Sequence, residues 1–394
     1  MNDIEKQTID DFRKVYGSVP DCVAFAPGRV EILGNHTDYN GGFVLSVALD
    51  LGIALAAEVR PGPPVFEVRS DGFRDSVQFS LAELRREDRS WANYPKGVIQ
   101  ELERSGVRLR AARMLIGSNL PQGAGVSSSA ALELATAEAC YAMFGGKPAK
   151  PMDEAILCQR AERSFVGVPC GLLDQFSSLF GKKDHVLFLD CSTLRYSQVP
   201  LGRDDIRVVL ADSGEKHALV DGQYARLRES CERARDALAR VLPAEVRSLR
   251  DVRAEDLERH AVDVDPEDLP RATHVVRENE RVLRGLAAFK SRHYPEIRKL
   301  MLESHASSRD LFGNSTEALD FLVDAAAELP GFLGGKLTGG GFGGSTVNLV
   351  EAASVGPFVE ELGSRFAQRF GRGLRTLVCG IGDGARALRV ERGS

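Results

Sequence analysis

PQGAGVSSSAALELATA (residues 121–137) is the stretch on which the fold turns. An apolar run with a strand's character, RMLIGSNL (113–120), leads into it. Its continuation, AALELATAEACYAMF (130–144), has no Gly or Pro and is rich in Ala and Leu, the composition of a helix. A strand therefore enters a Gly-rich turn, and a helix leaves it at three serines. The start of a helix exposes unpaired N–H groups and a partial positive charge. Gly123 and Gly125 let backbone come close to a bulky anion, and Ser127, Ser128 and Ser129 offer hydroxyls for capping, donation or metal ligation. This is a phosphate cradle in type, although a capped helix after a flexible turn has the same outline. No Gly-Lys-Ser/Thr is present here, so it is not a Walker A loop.

Outward from this stretch, the pattern alternates strands and helices in an α+β arrangement. Residues 1–17 read as an amphipathic helix, and 22–34 and 43–59 as strands joined by the polar turn NHTDYNGG. Two further strands are expected at 65–70 and 76–80, and a helix at 92–104. Downstream, a helix over about 153–166 is interrupted by Gly167, Pro169 and Gly171, and VLFLD (186–190) is a strand. Residues 220–310 are Arg-rich with a helical pattern, and the C-terminal part carries two more strand regions. The polar segment VPLGRDD suggests a domain break near 200, giving domains 1–200 and 201–394.

Composition excludes several functions. Of 394 residues, 43% are hydrophobic and 27% charged, which supplies ample core. A net charge of −5 gives no basic excess for nucleic acid or anionic lipid. Asp50, Gly52 and Glu58 break the longest apolar stretch, and the polar N-terminus has no signal-like core, so a cytoplasmic protein without a membrane anchor is expected. The seven Cys form no CxxC and no zinc spacing, and read as reduced, packed thiols. Protein partners are left open.

Two other polar or Gly-rich segments and one carboxylate stand out. KLTGGGFGGSTVNLV (336–350) fits GxGxxG at Gly339, Gly341 and Gly344, but it leads into a strand pattern where a dinucleotide loop must open a helix. No HRD or DFG exists to support a protein kinase. Five glycines in six positions instead point to close approach of backbone to a ligand or another loop, or to a tight bend between strands. APGRVEILGNHTDYNGG (26–42) concentrates Arg29, Glu31, Asn35, His36, Asp38 and Asn40 around apolar residues. It has the donor and acceptor inventory that sugar hydroxyls require, or that of a solvated turn. In VGVPCGLLDQFSSLFG (166–181), Asp174 sits among apolar neighbours as a helix cap or a functional carboxylate.

Taken in order, these segments resemble the GHMP family of small-molecule kinases, and its galactokinase branch most closely. DSGEKHALVDGQYARLR (212–228), HVVRENERV (274–282) and ESHASSRDLF (303–312) extend the resemblance over nearly the whole chain. It implies a ribosomal-S5-like N-terminal domain, a ferredoxin-like C-terminal domain and an active site in the cleft between them. ATP would be the donor with Mg²⁺, and a sugar C1 hydroxyl the acceptor. Asp174 matches the catalytic aspartate, Arg29 its partner. Gly123, Ala124, Gly125, Val126, Ser127, Ser128 and Ser129 match the loop around the ATP phosphates, with Trp91 and Tyr94 toward adenine. Ser129 and Glu162 fall at magnesium positions; Asn35, His36, Asp38, Gly171 and Tyr224 fall at sugar positions. The glycines at 339–344 match the motif that closes around the reaction centre.

The chain departs from that family at three positions. Galactokinases usually read GRVNLIGEHTDY where this chain has GRVEILGNHTDY, so Glu31 replaces Asn and Asn35 replaces Glu. Lys336 replaces the usual Arg. The implied reaction is phosphorylation of galactose, with a related sugar such as galacturonate, or a sugar and ATP sensor, as alternatives. The presence of both Asp174 and Arg29 argues for turnover over sensing.

Overall fold

A computed structural model describes residues 1–70, 75–121, 125–215 and 220–391. Its first half is built on a sheet of β1 (Cys22–Leu33), β2 (Phe43–Val59), β3 (Val65–Ser70), β4 (Asp75–Ser80), β5 (Ala112–Ser118), β6 (His185–Asp190) and β7 (Tyr196–Pro200). The last strand of the chain, β12 (Arg386–Arg389), joins the same sheet beside β1, giving the order β12-β1-β2-β5-β3-β4. The long β2 has three partners: it pairs with β1, and in addition Phe43–Ser46 pairs with β6 and Ile53–Val59 with β5. All pairs are antiparallel except β3 with β5.

Helix α1 (Asp3–Tyr16) starts at Asn2, whose side chain accepts from Glu5 N while Glu5 accepts from Asn2 N. It ends at Gly17 with φ 66°, a left-handed stop that glycine makes without strain. Helices α2 (Asn93–Arg104), α3 (Ser128–Phe144), α4 (Pro151–Ala161) and α5 (Leu173–Phe180) complete this half. α3 is buried from Ala130 through Tyr141 because it packs on β1 and β2 and also on α2, α4 and α5. That explains its small, all-round apolar composition.

The second half is a four-stranded antiparallel sheet of β8 (Ile206–Asp212), β9 (Phe332–Leu337), β10 (Ser345–Glu351) and β11 (Arg375–Cys379), in the order β11-β8-β10-β9. By position in this half that is fourth, first, third, second, the ferredoxin-like order. Helices α6 (Val220–Val241), α7 (Ala254–Arg259), α8 (Leu269–Ser291), α9 (Tyr294–Ser307) and α10 (Glu317–Ala327) separate β8 from β9, and α11 (Val355–Phe370) separates β10 from β11. The expected α+β architecture is present. The helix expected over 153–166 is α4 continued by a π-helical turn, Glu162–Val166.

Both halves deliver polar segments to one seam. From the first come the end of β1 with its turn, the start of α3 and the start of α5. From the second come the start of α6, one face of α8 and the loop between β9 and β10.

Candidate active site

β1 carries irregularities between Pro27 and Arg29 and between Glu31 and Leu33, and these turn its polar residues toward the seam. Arg29 is 7% exposed and fully engaged. Its backbone N donates to Val126 O at 3.0 Å, Nη1 to Gly125 O at 2.8 Å, and Nε to Asp174 Oδ1 at 2.7 Å. Asp174 Oδ2 accepts from the Ser127 hydroxyl. Arg29 therefore fastens the Gly-rich loop to Asp174.

This geometry decides between capping and function. Leu172 occupies the N-cap of α5, and Asp174 lies inside the first turn with its oxygens directed at Arg29 and Ser127. Ser127, left-handed at φ 56°, stands at the N-cap of α3 but makes no capping bond. The first N–H groups of α3 keep no side-chain cap and remain available to an anion. Gly125 (φ 72°) and Val126 lead into α3, and Ser128 and Ser129 are its first two residues. Gly123 and Ala124 lie outside the described residues.

Asp38, His36, Tyr224 and Gly171 meet beyond Asp174 and line, with Asn35, Glu31 and Arg29, one cavity of about 660 Å³. A methyl group on Gly171 would fall 1.6 Å from Asp38 Oδ2, so a side chain there would displace the Asp38 carboxyl. Burial, and then the Asp174 charge, push the Asp38 carboxyl up to about 7. His36 is left-handed at φ 59°, packs its ring 5.4 Å from that of Tyr224, and is pushed down to about 3 by burial. Neutral His36 donates from Nε2 to Gly340 O (3.3 Å) and accepts at Nδ1 from the Tyr39 hydroxyl (2.9 Å).

Glu162, on the π turn, accepts from the Ser129 hydroxyl and from Gln175 Nε2 at 2.7 Å. The same Nε2 donates to Glu133 Oε2 at 2.9 Å, and the buried Glu133 Oε1 has no hydrogen-bond partner. Burial raises both carboxyls above their usual range, Glu133 strongly; after burial, the Asp174 charge acts on Glu162 and the Glu162 charge on Glu133. Among the described residues, no three His, Cys, Asp or Glu side chains form a metal cage. The paired carboxyls beside Ser129, with Glu133 Oε1 left unpartnered, fit a Mg²⁺ ion, which takes one or two side chains plus substrate phosphates. Trp91 and Tyr94 are half-buried at the start of α2, outside the cavity lining, with Tyr94 within electrostatic reach of Glu162.

Two participants, Gln175 and Glu133, escaped sequence reading, and so did the pairing of Glu31 with Lys336. Gln175 directly follows Asp174, and Glu133 lies one turn beyond Ser129, so both were within reach of a helical-face argument. Glu31 and Lys336 form a buried ion pair at 2.7 Å, linking positions 305 residues apart that only the fold brings together.

The chain matches the family model described as the galactokinase galactose-binding signature over residues 10–59, the GHMP kinases N terminal domain over 93–182 and the GHMP kinases C terminal over 286–368. It is 42% identical over 378 residues to the galactokinase of Chloroflexus aggregans, covering 96% of each chain. With the galactokinase of Thermotoga maritima it shares 41% identity over 88% of this chain and 94% of that one. Its fold superposes on Lactococcus lactis galactokinase complexed with galactose with a TM-score of 0.91, at 29% identity, over 96% of this chain and 98% of that one. A mevalonate kinase from Methanococcus jannaschii, at 17% identity and a TM-score of 0.65, covers 92% of this chain and 98% of its own and shares the fold.

Proposed function

Since the chain belongs to the galactokinases of the GHMP kinase family, we propose that it transfers the terminal phosphoryl group of ATP to the C1 hydroxyl of galactose. The observation that carries this reading is the Arg29–Asp174–Ser127 cluster, which joins the anion-binding start of α3 to the cavity lined by Asp38 and Gly171. Phosphoryl transfer asks a protein chiefly for alignment and charge stabilisation. Asp174 is the acceptor for the hydroxyl proton. Arg29, held by Gly125 O and Asp174, sets a fixed positive charge beside the transferring group. The free N–H groups of α3, with Gly123 to Ser129, receive the phosphates.

Asp38, His36, Gly171 and Tyr224 form the sugar end; the side chain of Asn35, expected there as well, is taken up by Ser308, Asn314 and Gly339 O. Trp91 and Tyr94 lie toward the nucleotide base. Ser129 and Glu162 would hold Mg²⁺, which neutralises phosphate charge when bound. No helix among the described residues is long and apolar enough to cross a membrane, and all seven cysteines are free thiols, in keeping with a cytoplasmic site of action.

The test is ADP release with ATP, Mg²⁺ and a panel of hexoses and uronates, with the product identified by mass and NMR. Galactose 1-phosphate as the preferred product is expected. Preference for another sugar, or no turnover with any, would overturn the assignment.

A further inference from the structure

Asn35 lines the cavity yet is only 1% exposed, because almost every polar atom it has is held by the C-terminal half. Its backbone O accepts from His274 Nε2 at 3.1 Å, and its backbone N donates to Glu278 Oε1 at 3.3 Å. Its Oδ1 accepts from Asn314 Nδ2 at 3.0 Å and from the Ser308 hydroxyl at 3.3 Å. Its Nδ2 donates to Gly339 O at 3.0 Å. Asn314 Nδ2 also donates to Gly340 O at 3.2 Å. The two glycine carbonyls only accept, so they fix the orientation of both amides.

The segment so held has little means of holding itself. Gly339 and Gly341 have φ of 76° and 80° and carry no side chains. Phe342 N donates to Asn314 O at 2.7 Å, and a Cβ on Gly341 would fall 2.1 Å from that oxygen. On its other side the turn abuts the phosphate loop, where a Cβ on Gly339 would stand 3.7 Å from Gly125 O. His36 Nε2, donating to Gly340 O, completes the grip from the sugar motif.

We propose that Asn35 is a positioning residue: its amide, locked by Asn314 and Ser308, pins the Gly339–Gly340 turn against the phosphate loop and so sets the geometry of transfer. The inference rests on the kinase reading above. It assigns to Asn35 an effect on turnover rather than on sugar affinity. Asp at this position keeps the size and the acceptor oxygen but loses the N–H and faces Gly339 O with a carboxylate.

The experiment measures kcat, KM for the sugar and calorimetric sugar Kd for the native enzyme, Asn35→Asp and Asn314→Asp, on whichever sugar the native enzyme phosphorylates fastest. A fall in kcat of tenfold or more, with sugar KM and Kd within about twofold, is expected for both variants. Asn314 does not line the cavity, so its variant carries the test if Asn35→Asp fails to fold. A rise in sugar Kd with kcat intact, or a changed ratio of galactose to galacturonate turnover in Asn35→Asp, would make Asn35 a sugar ligand and overturn the proposal. A native enzyme inactive on galactose but active on another sugar defeats the galactose reading alone.

Discussion

Asp174 uses both carboxylate oxygens within the protein, one toward Arg29 and one toward Ser127. Asp174→Asn preserves shape but removes the proton acceptor, so kcat should fall by about 10²–10⁴-fold. Calorimetric affinity for galactose should be retained; a folded variant with near-native kcat would remove Asp174 from the chemistry. Arg29, Asp38 and Asp174 were marked by the resemblance to galactokinases, whereas the residues alone left Asp174 as a helix cap or a functional carboxylate. The role of Ser127 was hidden, since a serine before a helix reads equally well as a cap. The ion pair of Glu31 and Lys336 was hidden for another reason: neither residue has a local partner, and Lys336 is fully buried. Lys336→Met leaves Glu31 uncompensated and should destabilise the protein by about 3–5 kcal/mol, whereas Glu31→Met with Lys336→Met should recover much of it. Urea unfolding of the two single variants and the double measures this. Equal stability of Lys336→Met and the native protein would mean that the pair contributes nothing.

Among the elements, strands were the most legible because apolar runs, buried throughout β1 and along most of β2 and alternating in β3, end at polar or Gly-rich turns. The strand expected at 43–59 coincides with β2, and that expected at 65–70 with β3. Residues 220–310 were legible only as helical, because the faces of α6, α8 and α9 are defined by distant contacts: α6 with α8, α8 with α9 and the first sheet, and α9 chiefly with β9 of the second. The π turn at the end of α4 was likewise invisible, since its sequence, ERSFV, continues a helical pattern. Yet that turn carries Glu162, and π turns inside helices often mark functional sites. Glu162 keeps its carboxylate buried among Ser129, Gln175 and Glu133, an arrangement that costs stability unless a cation offsets the charge. Glu162→Ala should therefore raise the Mg²⁺ concentration for half-maximal rate at least tenfold. A magnesium titration of the rate at saturating ATP checks this, and an unchanged midpoint would exclude Glu162 from metal binding.

At the scale of the whole molecule, the seam between the halves is a dense set of buried ionisable groups, and its pH response separates stability from function. Glu278 accepts from Gly34 N at 2.9 Å, the Ser304 hydroxyl at 2.7 Å and Arg281 at 2.6 Å. Burial is the largest single influence and opposes its charge, but Arg281, together with His274, Lys336 and the Ser304 hydroxyl, outweighs it, and the carboxyl is pushed down to about 2. His274 is held neutral, pushed down to about 4 by burial. Both therefore contribute stability that is present near neutrality. The His274 share is lost as pH falls from about 6.5 toward 4, and the Glu278 share as it falls from about 4.5 toward 2. Asp38 has the opposite sign. Its folded pKa of about 7 lies above its ordinary value of 3.8, so the folded state binds the extra proton between these values. Stability is not penalised below about pH 4, declines as pH rises toward 7, and carries the full penalty above that. Asp38→Asn removes this one contribution while His274 and Glu278 titrate as before. The stability difference between Asp38→Asn and the native protein should therefore grow in favour of the variant from pH 4 to pH 8. Sugar affinity should fall in the same variant, because the ionised carboxylate accepts hydroxyl hydrogen bonds that an amide matches with only one oxygen. Urea unfolding at pH 4, 6 and 8, with galactose calorimetry at pH 8, tests both halves of the argument. A stability difference that stays flat with pH would show that Asp38 does not hold its proton in the free enzyme, and its negative charge at the sugar end would then be stabilised by neighbours other than Arg29.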